Sequence, residues 1–122
     1  MKEMIYQNSW CFETLDNGEY LGYKYFIFSY GMYPCAYVKL PDNHPFYGNF
    51  YDIIPIRCHG GLTFSGEYSE LGYGFFIGWD YAHEGDYYTF VNPLIPGDGL
   101  KRWTTPEILE EVKDVIRQLK KA

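Results

Sequence analysis

The stretch Thr104-Thr105-Pro106-Glu107-Ile108-Leu109-Glu110-Glu111-Val112-Lys113-Asp114-Val115-Ile116-Arg117-Gln118-Leu119-Lys120-Lys121 decides the class of the fold. Thr104 or Thr105 can cap a helix, Pro106 suits its first turn, and Glu107 follows Thr104 at capping-box spacing. Acidic residues come early and basic ones late, as the helix dipole favours. Ile108, Val112, Val115 and Leu119 recur at helical intervals with Leu109 and Ile116 beside them, so the sequence predicts a helix over about 105–121 with one apolar stripe. A stripe of this kind needs a surface to lie on.

That surface is expected upstream, where Tyr, Phe, Ile and Val alternate with turn residues in the manner of antiparallel strands. Expected strands run from Ile5 to Thr14, Tyr20 to Tyr30, Cys35 to Leu40, Ile53 to Cys58 at an edge because of Pro55, Gly61 to Phe64 and Tyr73 to Trp79. Asp16-Asn17-Gly18 reads as the first hairpin turn, Gly31-Met32-Tyr33-Pro34 as the second, and Ser65 to Glu70 as the last. Pro41 to Asn49 and Asp80 to Gly99 read as loops. Tyr20, Lys24, Phe26 and Phe28 share one face of their strand and Leu21, Tyr23, Tyr25, Ile27 and Ser29 the other. Both faces carry bulk, so the helix is expected on one and a loop or a second subunit on the other. The predicted class is α+β: a single domain over 1–122, with an antiparallel sheet of about six strands in 1–100 and the helix packed on a face.

Composition narrows the function. The chain has 122 residues, 21% of them aromatic, and a net charge of −6. The acids and bases from Pro106 onward cancel, so the body carries the whole charge. Duplex nucleic acid is therefore not an expected partner. No apolar run approaches the roughly 20 residues of a membrane span, and the first residues lack the apolar block of a signal peptide. A cytoplasmic location is expected. Cys11, Cys35 and Cys58 match neither a zinc pattern nor a disulfide framework and read as small buried residues. An aromatic-rich sheet with one helix leaves area for a homodimer.

Two glycine-flanked polar clusters break the aromatic background: Cys58-His59-Gly60-Gly61-Leu62-Thr63-Phe64-Ser65-Gly66 and Gly78-Trp79-Asp80-Tyr81-Ala82-His83-Glu84-Gly85-Asp86. Together with Leu40-Pro41-Asp42-Asn43-His44-Pro45-Phe46-Tyr47-Gly48 and Trp103-Thr104, they resemble a group of small bacteriophage and prophage proteins. The resemblance covers about Ala36 to the C-terminus and departs at Tyr81, where other members have cysteine. It implies a phage-related origin inside a bacterial host cell and adds weight to His59, Asp80, His83 and Asp86, but supplies no activity.

Four chemistries are open to these residues. His59, Asp80, His83 and Asp86 suffice in number and type for a divalent metal, zinc or manganese. The same four can serve as catalytic acid–base groups of a hydrolase acting on a nucleotide-like ligand, and Thr63 or Ser65 can be placed beside His59 as a nucleophile. The plain alternative is that Asp80 and Asp86 brace their own loop as Asx turns. A binding reading uses the most residues. Gly60 and Gly61 offer backbone N–H groups to an anion and Arg57 a guanidinium. Phe46, Tyr47, Trp79 and Tyr81 offer rings for a planar base, with Asn92, Asp80 and Asp86 reading polar edges. The leading expectation is thus a phage-associated protein that sequesters a small, nucleotide-type host immune signal. Its rivals are the hydrolase and a protein-binding module that docks on a host factor.

Overall fold

Thr104 adopts extended backbone and accepts from the Glu107 N–H, while the Glu107 carboxylate accepts from the Thr104 N–H at 3.0 Å, closing the capping box. Helix α1 then runs Thr105–Lys121, at the bounds its sequence predicts. Lys101 reaches Glu107 at 2.5 Å and, with the cap, holds that carboxyl down at about 2. The computed structural model describes residues 4–7, 10–29, 31, 33–86 and 100–122.

Those residues form an α+β fold: one six-stranded antiparallel sheet with α1 on a face. The strands are β1 (Met4–Gln7), β2 (Trp10–Tyr20), β3 (Tyr23–Ser29), β4 (Pro34–Leu40), β5 (Phe64–Tyr68) and β6 (Gly72–Asp80), ordered β1-β2-β3-β4-β6-β5. The first four form a meander; the chain then leaves through a long loop to build the β5–β6 hairpin, whose second strand pairs with β4. Ile108, Val112, Val115, Ile116 and Leu119 lie against Tyr23, Tyr25 and Ile27 of β3, Ala36, Val38 and Leu40 of β4, and Phe75, Ile77 and Trp79 of β6. The other face carries Phe28, Cys35 and Tyr37, with Phe26, Phe64, Tyr68 and Leu71 packed on them. The two-sided bulk of β3 thus divides between two apolar layers. Among the described residues no helix is long and apolar enough to cross a membrane.

Four readings of the strands are corrected. The Ile5–Thr14 strand is two, since β1 pairs back onto the start of β2, with Ile5 opposite Phe12. Asp16-Asn17-Gly18 lies inside β2, and the turn falls at Leu21-Gly22, with Tyr20 paired to Tyr23. Leu21 at φ +50° and Gly22 at φ +87° give the two positive angles that a two-residue hairpin requires. Gly18 is small for another reason: its cross-strand partner is Tyr25, and a Cβ there would stand 2.7 Å from the phenol oxygen. The third correction is the Gly61–Phe64 strand, which begins at Phe64 and continues through Ser65 and Gly66, so the turn moves to Ser69–Leu71.

The fourth is Ile53–Cys58, which pairs with no strand among the described residues. A short 3-10 turn at Tyr51–Ile53 leads into extended chain, and the Gln118 side chain takes the place of a neighbour strand. Its Oε1 accepts the Arg57 N–H at 2.8 Å and its Nε2 donates to the Arg57 carbonyl at 2.7 Å. Ile54 and Ile56 are thereby set into the core. The preceding loop is tied down by His44: Nδ1 accepts from the Phe46 N–H at 3.0 Å, which makes Nε2 the donor to the Leu119 carbonyl at 2.9 Å. The Asp80–Gly99 loop is irregular from Tyr81 to Asp86; its remainder lies outside the described residues, as does Asn92.

Candidate functional site

The site forms where β6 ends, where the Cys58–Gly61 turn passes, and where the chain enters α1. Asp80 closes β6, and the chain then doubles back so that the Asp86 N–H donates to the His83 carbonyl at 2.9 Å. Gly85, at φ +91°, permits the reversal and receives the Lys101 N–H at 2.8 Å, which joins this loop to the approach to α1. On the other side, Gly60 and Gly61 both have positive φ, and the Gly61 N–H donates to the Cys58 carbonyl at 3.0 Å. That bond removes Gly61 from the expected anion nest.

His59, Asp80, His83 and Asp86 come together, as two pairs. His59 Nε2 stands 2.6 Å from Asp86 Oδ2, and His83 Nε2 stands 3.0 Å from Asp80 Oδ1. The two imidazole centroids are 5.6 Å apart, ring edge to ring face. Gly60 is required by this approach, because a Cβ there would fall inside the van der Waals surface of the His83 ring. The two sequence clusters are therefore coupled by packing as well as by polar groups.

The pairs differ in their surroundings. Asp86 is 3% exposed, and besides His59 it accepts from the Trp103 indole at 2.8 Å and from the His83 N–H at 3.0 Å. Burial pushes its carboxyl up, but these bonds outweigh burial and hold it below the usual value. Asp80 is more open. It accepts from the Ala82 N–H at 3.1 Å in an Asx turn and from the Thr63 hydroxyl at 3.2 Å. His83 Nε2 is buried and, although close to Asp80, lies outside hydrogen-bond geometry, so it has no hydrogen-bond partner among the described residues. The side chains of His59 and His83 remain 22% and 32% exposed, so both rings reach solvent.

A second layer holds His59. Its ring lies parallel to Tyr81 at 4.8 Å and against Trp103 at 4.9 Å. Its N–H donates to Glu111 Oε2 at 2.9 Å, and Glu111 Oε1 accepts the Tyr81 hydroxyl, which in turn accepts from the Trp79 indole at 3.0 Å. Burial and the bond to Glu111 push the Tyr81 phenol far above its usual value, so it stays a donor. Cys58 is pushed up to about 12 by burial, then by Glu111 and Asp80, so its thiol is no nucleophile at neutral pH.

The remaining expected site residues lie elsewhere or serve differently. Trp79 and Tyr81 are 1% and 0% exposed, inside the core, and present no ring to a ligand. Phe46 packs beside His44 at the C-terminal end of α1, and Tyr47 packs on Phe75. Glu111 and Leu119 are about 12 Å apart along the helix, which separates those two rings from His59. Arg57 is exposed, with its backbone fixed to Gln118. Ser65 stands in β5 opposite Ile77, and the Thr63 hydroxyl is turned to Asp80 rather than to an imidazole. Among the described residues no group of three or more His, Cys, Asp or Glu side chains is arranged to hold a metal ion. Hollows of about 410 Å³ beside Tyr73 and about 260 Å³ between Lys24 and Lys39 take in none of the four groups.

Trp103, quoted above only as part of the resemblance, and Glu111 are site residues whose roles the sequence reading does not assign. Glu111 leaves a trace, since it lies within the apolar stripe, three residues after Ile108 and four before Val115, where a carboxylate needs a buried partner. Fold and site define an α+β domain that bears two adjacent histidine–aspartate pairs at the mouth of its helix. Set against known families, curated proteins and solved structures, the chain shows no match.

Proposed function

We propose that the chain binds a small polar ligand at the edge formed by His59 and His83 and acts on it by proton transfer, as a hydrolase. One observation carries this reading: an imidazole open to solvent is bonded at 2.6 Å to a buried carboxylate, with a second imidazole 5.6 Å away. A carboxylate behind an imidazole stabilises its cation and fixes its ring, and a neighbouring imidazole can return the proton to a leaving group. His59 is the proton carrier supported by Asp86; His83 is its partner. Such groups are worth about 10²–10⁴-fold in rate.

A nucleotide-type ligand, the class that the motif resemblance points to, fits this reading with changed contacts. Trp79 and Tyr81 belong to the core, so Trp103, half-buried beside His59, is the ring left for a base. Removal of a host signal by a phage-associated protein is the role that this chemistry would serve.

The test has two arms. Purified chain is denatured and the released small molecules are identified by mass spectrometry, and intact chain is incubated with cyclic dinucleotides and with bis(p-nitrophenyl) phosphate. Turnover that is bell-shaped in pH and falls about 10²-fold or more in His59→Ala is expected. Neither a released ligand nor turnover, with His59→Ala affecting only the unfolding midpoint, would overturn the reading.

A further inference from the structure

We infer that Trp103 is a positioning residue: its indole fixes Asp86, Asp86 fixes His59 with the proton on Nε2, and Nδ1 is left as the solvent-facing atom that exchanges protons with a ligand. This rests on the function proposed above and adds which atom acts and what holds it.

The geometry is a short relay. Trp103 Nε1 donates to Asp86 Oδ1 at 2.8 Å, and the His83 N–H reaches Asp86 Oδ2 at 3.0 Å. A carboxylate held by both oxygens cannot swing, so Oδ2 stays 2.6 Å from His59 Nε2. An ionised carboxylate only accepts, so the proton between them belongs to Nε2 and the Nδ1 lone pair is free. His59 Nδ1 makes no hydrogen bond among the described residues, and the His59 side chain is 22% exposed, so the side of the ring away from Asp86 is the one available to a ligand. The ring cannot turn over readily. Tyr81 lies flat against it, Trp103 closes one side, and the backbone N–H is fixed by Glu111. Trp103 directly precedes the helix cap, so helix docking and site alignment are joined in one side chain.

The experiment uses the full-length chain labelled with ¹⁵N, and reads imidazole and indole signals without any ligand. In the unaltered chain at pH 7.5, His59 is expected as a single Nε2–H tautomer with a slowly exchanging proton. Trp103→Phe keeps a ring against His59 and Tyr81 but removes the donor. It should populate both tautomers and speed exchange of the Nε2 proton about ten-fold or more, with the circular dichroism unchanged. An unchanged His59 signature in Trp103→Phe overturns the proposal, because Trp103 would then only pack. Should that variant not fold, the unaltered chain decides: the Trp103 indole proton and the His59 Nε2 proton, both held on Asp86, should exchange with water about ten-fold or more slowly than in an exposed side chain. A freely exchanging indole proton, or a His59 signal of mixed tautomers, overturns it. Since no ligand enters, these signals stand or fall independently of turnover, and absent turnover alone would count only against the proposed chemistry.

Discussion

The two histidine–aspartate pairs are neighbours built on different plans. Asp86 is sealed from water and collects three donors from three parts of the chain: His59, the His83 backbone and Trp103. Asp80 lies at the open end of β6 and collects one donor from its own loop and one from Thr63. A carboxylate surrounded by donors in a dry place is a structural anchor as well as a support for its imidazole, whereas a wet one is neither strongly held nor strongly holding. The contrast extends to the imidazoles: His59 is hydrogen-bonded to its carboxylate, whereas His83 Nε2, packed over Gly60 and 3.0 Å from Asp80, makes no hydrogen bond among the described residues.

The largest expected effect is at the anchor. Asp86→Ala leaves three part-buried donors without their acceptor and should cost about 2–4 kcal/mol in urea unfolding. The same change at Asp80 should cost about 1 kcal/mol or less. Equal costs would break the distinction between the pairs.

Gly60→Ala comes next. A side chain at φ +68° is strained, and its Cβ must displace the His83 ring, so a loss of about 2 kcal/mol or more is expected. Adding His83→Ala makes room. The double variant should recover part of the loss and retain about 1 kcal/mol for the backbone strain alone. A double variant no more stable than the sum of the two single changes would show that His83 does not rest on Gly60.

Acidity sharpens the same contrast. The carboxyl of Asp86 is held below its ordinary value of 3.8 in the folded chain. The unfolded chain therefore binds this proton first as pH falls, and the stabilisation is present above that value and lost as pH drops through the lowered folded one. Urea midpoints measured between pH 6 and pH 2 should fall across this window. Asp86→Asn should remove that part of the slope, and an unchanged slope would assign the acid sensitivity to other carboxyls.

How far the sequence shows all this depends on whether each signal is local. The α1 bounds are legible because cap, proline, charge order and stripe all lie within the helix itself. Asn17-Gly18 misleads because the same dipeptide that favours a turn also makes room for a cross-strand ring, and only pairing with Tyr25 tells the two apart. The Ile53–Cys58 segment misleads for a similar reason: its neighbour is the Gln118 carboxamide, some sixty positions away, and not another strand. In the site, His59, Asp80, His83 and Asp86 stand out as polar residues among aromatics. Their pairing is hidden, as is the burial of Trp79 and Tyr81, because alternation along β6 does not say which face the helix covers. Trp103 is quoted with the motifs, but its donor role is not legible there, because the contact with Asp86 arises where Asp86 bridges to Lys101, two residues before it.

The smallest expected effect separates brace from proton carrier at the second pair. Asp80→Asn keeps an oxygen for the Ala82 N–H or the Thr63 hydroxyl and removes only the charge. Because the group is partly exposed, its stability cost should stay within about 0.5 kcal/mol. Turnover is the discriminating quantity. If His83 returns a proton during the reaction, loss of the neighbouring charge weakens its cation, and the rate should fall about ten-fold while the urea midpoint hardly moves. If both stay unchanged, Asp80 and His83 only shape the loop, and the proton chemistry belongs to His59 and Asp86 alone.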